Sequence, residues 1–180
     1  MGPTVINGLP AHILFVHIVV VLVPLTALLL VLSVLWPAAR RRLGVITPMA
    51  AFVTLVFVPL TTHAGEWLEH NTARDPLIQI HAHLGDQMLY WSAGVFLLSA
   101  TWWAIHNEQI RGRLRWPADR PKQTVANKTT AIAVAIVALT VSIGSVVEVY
   151  RIGDSGAKAV WHDRATAIGS ALDTGSTTAN

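Results

Sequence analysis

The sequence predicts an all-α integral membrane protein: a four-helix bundle crossing the bilayer four times, N-out and C-out, with both termini on the extracytoplasmic side. Three observations predict it. Apolar residues make up 53% of the 180 positions and charged residues only 13%, outside the usual range of soluble domains. Four apolar stretches each reach the roughly 20 residues that a hydrocarbon core of about 30 Å demands of a helix. Basic residues are sorted between alternate loops.

The spans expected are about 13–36, 46–65, 77–105 and 129–150, inside one domain over 1–164, followed by a flexible polar tail over 165–180 rich in Gly, Ser, Ala and Thr. The first span lacks a basic leader and a small-residue cleavage site and exceeds a signal core, so a retained helix is expected. Trp36-Pro37 and Asp75-Pro76 mark breaks, and Thr47-Pro48 suits a helix start. Pro24 and Pro59 fall inside apolar runs, where each removes a ladder hydrogen bond and favours a kink. Both lie in a Val-Pro-Leu-Thr tetrapeptide, Val23 to Thr26 and Val58 to Thr61. Four residues at different depths are read as coincidence rather than as a duplicated hairpin.

Orientation follows from the retention of Lys and Arg on the cytoplasmic side of short loops. Arg40, Arg41 and Arg42 lie between the first two spans; Arg111, Arg113, Arg115, Arg120, Lys122 and Lys128 lie between the last two. The opposite side holds eight of the ten acids. The isoelectric point of about 9.8 is thus a topology signal, and no nucleic-acid partner is expected. The chain has no cysteine, which excludes disulfides and thiolate chemistry. No phosphate-cradling glycine loop, dinucleotide fingerprint or nucleophile elbow is present, so no catalytic residue is assigned.

This topology puts seven of the eight histidines on the outer side, leaving only His106 inside. His70, His162 and His12 are accounted for as interfacial residues with an apolar body and a polar tip. His17 lies more than a turn inside an apolar segment, where an ionisable group is a functional candidate facing the bundle interior. At about 100° per residue, His63, Glu66 and His70 share a face, and His81 aligns with Gly85, Met88 and Ser92 while His83 points away. Glu148 and Arg151 are spaced for an ion pair. His17, His63, Glu66, His81, Glu148 and Arg151 are therefore expected in one outer-leaflet region.

Three readings of that region stay open. Two histidines, His17 with His81 or His63 with His81, would ligate the iron of haem b axially, with Arg151 available to a propionate. Alternatively His63, Glu66 and His81 would hold a transition metal. In the third, Glu148, Arg151 and the close-packing stripe around Gly85 form a structural network without a cofactor. The third ranks first, because polar groups in a bundle normally find partners and no cofactor motif is present. It describes a non-catalytic accessory or scaffold subunit, with the bilayer and either a membrane-protein complex or a homo-oligomer as partners.

Gly8-Leu9-Pro10-Ala11-His12 with Val16-His17, Gly65-Glu66-Trp67-Leu68, His81-Ala82-His83-Leu84-Gly85-Asp86, and the run from Val149 to Ala157 together carry a resemblance over about residues 8 to 162. The chain resembles an uncharacterised family of bacterial four-helix membrane proteins, a domain of unknown function, in its actinobacterial type. The resemblance implies a multi-pass protein of the bacterial cytoplasmic membrane with its motifs at one membrane face and, in some relatives, association with respiratory or cytochrome-containing systems. It implies no activity, and it suggests Gly153 and Gly156 as turn positions after the last helix.

Overall fold

The computed structural model describes residues 5–6, 9–72, 75–107 and 123–177, with side chains placed over 10–72, 75–107 and 128–162. A two-residue antiparallel ladder, β1 (Val5–Ile6) with β2 (Leu9–Pro10), precedes five helices. These are α1 (Ala11–Leu35), α2 (Pro37–Leu43), α3 (Ile46–His70), α4 (Pro76–His106) and α5 (Gln123–Thr177). α1, α3, α4 and the 128–162 part of α5 are long and apolar enough to cross a membrane. Most of the basic loop expected between the last two spans lies outside the described residues.

Local chemistry sets the ends. Trp36 is extended before Pro37, which opens α2 at the position where a missing amide hydrogen costs least. Gly44 closes α2 at φ 45°, a left-handed value that penalises any residue with a Cβ. Asp75 caps α4, its Oδ1 accepting from the Leu77 amide at 2.7 Å, with Pro76 in the first turn. Pro24 and Pro59 sit inside continuous helices. Thr26 Oγ1 donates to the Leu22 carbonyl and Thr61 Oγ1 to that of Phe57, so hydroxyls crowd the ladder close to each proline.

α5 departs most from expectation. Its backbone stays helical well past Tyr150, through Gly153 and Gly156 and on to Thr177. Neither glycine is a turn: both are helical, and one of them seats a histidine described below.

α1 packs on α3 and α5, and α4 packs on the same two helices, so α1 and α4 lie across one diagonal and α3 and α5 across the other. The interior is lined by Thr26, Ser33, Thr47, Thr54, Thr61, Ser92, Ser99, Ser142 and Ser145 together with Val23, Leu30, Val58 and Met88. Outside lie Val21, Leu28, Met49, Leu97 and Ile143, each more than half exposed. A soluble bundle would bury those residues. Hydrocarbon removes the penalty for exposing them and favours small, hydroxyl-bearing residues between helices.

The hairpins α1–α3 and α4–α5 repeat one register. Val19, Val23, Thr26, Leu30 and Ser33 are buried at seven, eleven, fourteen, eighteen and twenty-one residues after His12; Met88, Ser92, Val95, Ser99 and Trp102 follow His81 at the same intervals. Thr47, Ala51, Thr54, Val58 and Thr61 precede Gly65 as Ala138, Ser142, Ser145, Val149 and Ile152 precede Gly156. The spacing itself is that of any packed helix. The shared origin, a histidine on one helix and a glycine on its partner, makes the hairpins equivalent around the bundle axis. Both tetrapeptide copies fall within the first hairpin, so they do not relate the two.

Candidate functional site

His12 opens α1, where it is half-buried with its ring against α3. Its Nδ1 lies 2.9 Å from the Thr61 carbonyl. His81, one turn into α4, makes the equivalent contact with α5: Nδ1 is 3.1 Å from the Ile152 carbonyl and 3.1 Å from Ser155 Oγ. A carbonyl can only accept, so Nδ1 of each ring carries a proton, and the tautomer this selects has the lone pair on Nε2.

Both rings rest on a glycine one helical turn beyond the accepting carbonyl. A Cβ at Gly65 would lie 2.9 Å from His12 Cε1, and one at Gly156 would lie 3.0 Å from His81 Cε1. The glycines let the rings reach the neighbouring backbone. The two imidazoles then stand with centroids 6.3 Å apart and planes at 82°. They face each other across the diagonal between the hairpins.

Beside them lies a cavity of about 400 Å³, within the usual range for small-molecule and cofactor sites. Val19, Val58 and Met88 form part of its apolar wall, and Glu66, Glu69 and Asp86 also border it. Gly85 lines it as well, and a Cβ there would meet nothing within 4 Å. Among the described residues no Lys or Arg lines it.

The residues singled out from the sequence divide. His81, Glu66 and Gly85 border the cavity. His17 does not reach His81: it is exposed and turns back on its own helix, Nδ1 lying 2.6 Å from the Ile13 carbonyl. His63 faces out too, with Nδ1 3.6 Å from Glu66 Oε2 and both side chains more than half exposed. Arg151 is held at 2.9 Å by Glu148 and does not line the cavity. Glu148 is buried, and its Oε1 has no hydrogen-bond partner among the described residues. Among the described residues no three His, Asp or Glu side chains gather to hold a metal ion.

The partner of His81 is His12, which sequence reasoning set aside as interfacial. Its signal lay in the Gly8-to-His12 segment and in Gly65, both read as pieces of a family pattern and never as a contact.

The family described as a predicted membrane protein, DUF2231, matches residues 8–169. The chain belongs to the DUF2231 family. No curated protein and no solved structure matches it. The DUF2231 match runs from just before His12 to beyond Gly156, so it contains both hairpins and the whole histidine site.

Proposed function

We propose that this DUF2231 protein binds haem b between His12 and His81 and serves as a small electron-transfer protein of the bacterial cytoplasmic membrane, with both termini outside. The observation that carries the reading is the His12–His81 pair: two imidazoles on diagonally opposed helices, each fixed through Nδ1 by a carbonyl of the other helix in its hairpin. A carbonyl acceptor on Nδ1 is the usual outer partner of a metal-bound histidine, setting its tautomer and orientation.

Ligand number favours haem over a bare ion. A zinc or copper site draws three or four ligands from protein, whereas haem iron brings four of its own and asks the chain only for axial ones. His12 and His81, with ring centroids 6.3 Å apart, would be the two residues that hold the iron. The open space over Gly85 suits a flat macrocycle. Among the described residues no basic one lines the wall, and Arg151, held by Glu148, would not be available to a propionate. Haem would supply one-electron chemistry; His12 and His81 would hold it, and the apolar wall would keep water from the iron.

The second reading is the scaffold subunit, favoured by one observation. Both histidines already have hydrogen-bond partners, and among the described residues only Ser142 and Glu148 have a buried side-chain polar atom without one. In that reading the histidines are interhelical staples and the protein works through a partner complex.

Absorption spectra separate the two. Protein purified in mild detergent from cells supplied with haem is expected to show a Soret band at about one haem per chain, lost in His12→Ala and in His81→Ala and kept in His17→Ala and His63→Ala. A colourless protein after haem loading would leave the scaffold reading in its place.

A further inference from the structure

We infer that the end of the bundle remote from the histidines holds the phosphate of one anionic phospholipid, in a second cavity bordered by Arg40 and Arg41. This cavity, of about 170 Å³, lies among the ends of α1, α2, α3 and α4. Two guanidinium-bearing residues line it together with the hydroxyl residues Ser33, Thr47 and Ser99, and among the described residues no carboxylate does. Neither arginine makes an ion pair among the described residues.

Arg40 is positioned by an aromatic ring instead of an acid. Its guanidinium carbon lies 5.6 Å from the ring centre of Trp102. Trp102 is itself buried, and its indole Nε1 donates to the Ser33 carbonyl at 3.0 Å. The ring therefore holds the cation by its face while leaving the N–H donors for an anion. The hydroxyls of Ser33 and Thr47 are hydrogen-bonded to each other at 3.2 Å, which leaves one neutral donor between them on the same wall.

Position selects the source of the phosphate. The apolar outer band of the bundle reaches Leu35, Trp36 and Ile46, all more than half exposed, and the first basic side chain follows at Arg40. The cavity thus opens where a bilayer changes from acyl chain to headgroup. Arginine pairs well with phosphate oxygens, and basic pockets between membrane helices at this depth suit anionic headgroups.

The test is thermal unfolding of the full chain in mixed micelles. Phosphatidylglycerol in excess should raise the midpoint by about 5 °C over phosphatidylcholine, and native mass spectrometry should retain one phosphatidylglycerol where phosphatidylcholine is stripped. Arg40→Gln with Arg41→Gln should lose the phosphatidylglycerol shift relative to its own phosphatidylcholine midpoint, while Arg42→Gln, which does not line the cavity, should keep the shift. An equal shift from inorganic phosphate would move the site from lipid to free phosphate and overturn the assignment. Equal midpoints in the two lipids for the unmodified chain would overturn it without reference to any variant.

Discussion

The indole of Trp91 on α4 occupies the space that a side chain at Gly144 on α5 would need. This contact lies in the histidine-bearing half of the bundle, where Trp91 packs against Val19, Val23, Val58 and Met88. Gly144→Ala forces the ring or the helix to move. Overpacking of this kind costs about 1–3 kcal/mol, against a gain of up to about 1 kcal/mol from alanine's helix propensity. A lower thermal midpoint in detergent is expected. An unchanged or raised midpoint would contradict the contact.

Gly65→Ala and Gly156→Ala test the seating of the histidines. Each methyl would press on an imidazole at about 3 Å, tilting it off its carbonyl. Stability should fall by no more than about 2 kcal/mol, since alanine returns some helix propensity. On the haem reading proposed above, the Soret band should shift or weaken far more than the midpoint. Gly85→Ala has the opposite signature: its methyl meets open space, so the haem-free protein gains up to about 1 kcal/mol while haem affinity falls. Parallel unfolding curves and haem titrations of the three variants check this.

Much of the architecture was legible before the coordinates. The four spans follow from run length and hydropathy, which the bilayer makes nearly decisive. Their ends shift by at most two residues at α1 and α4, where Pro37 and the Asp75 cap are local signals, and by five at the end of α3, which runs on through Gly65 to His70. α5 overran its expected end at Tyr150 because no proline interrupts it, and helical glycines such as Gly153 and Gly156 weaken a helix without breaking it. The site was half legible. Helical phase set His81 apart from His83, and His83 is exposed. His12 was not found, because the contact that gives it meaning is to Thr61 and Gly65, about fifty residues away, and periodicity on one helix cannot register two helices. His17 attracted attention by depth alone, yet a histidine can satisfy its Nδ1 on its own helix, as His17 does with Ile13.

Orientation is open to direct chemical test because the chain has no cysteine. Thr72, between α3 and α4, and Arg42, on α2, are both exposed and lie at opposite ends of the bundle. With both termini outside, Thr72→Cys should react with a membrane-impermeant maleimide on intact spheroplasts, and Arg42→Cys only after lysis. The reverse labelling would invert the topology and undo the charge-sorting argument.

Glu148 and Arg151 offer a sharper energetic test. Glu148 is 3% exposed, with Oε2 on Arg151 at 2.9 Å and Oε1 unpartnered among the described residues, while Arg151 is more than half exposed. Eight residues before Gly156, Glu148 matches Phe57, eight before Gly65, so the repeat itself places an apolar residue there. A buried carboxylate costs desolvation that a half-exposed partner offsets only in part. Glu148→Leu is therefore expected to be neutral or stabilising, by up to about 1 kcal/mol. Arg151→Ala strands the buried carboxylate and should destabilise by about 1–3 kcal/mol, less than a fully buried pair would lose because water screens the arginine. The double variant should recover most of that loss, since without the carboxylate the arginine has nothing left to neutralise. Midpoints for the four proteins, taken as a double-mutant cycle, check the coupling. A loss in Glu148→Leu as large as that in Arg151→Ala would instead mean that the carboxylate itself has a partner or task at this depth.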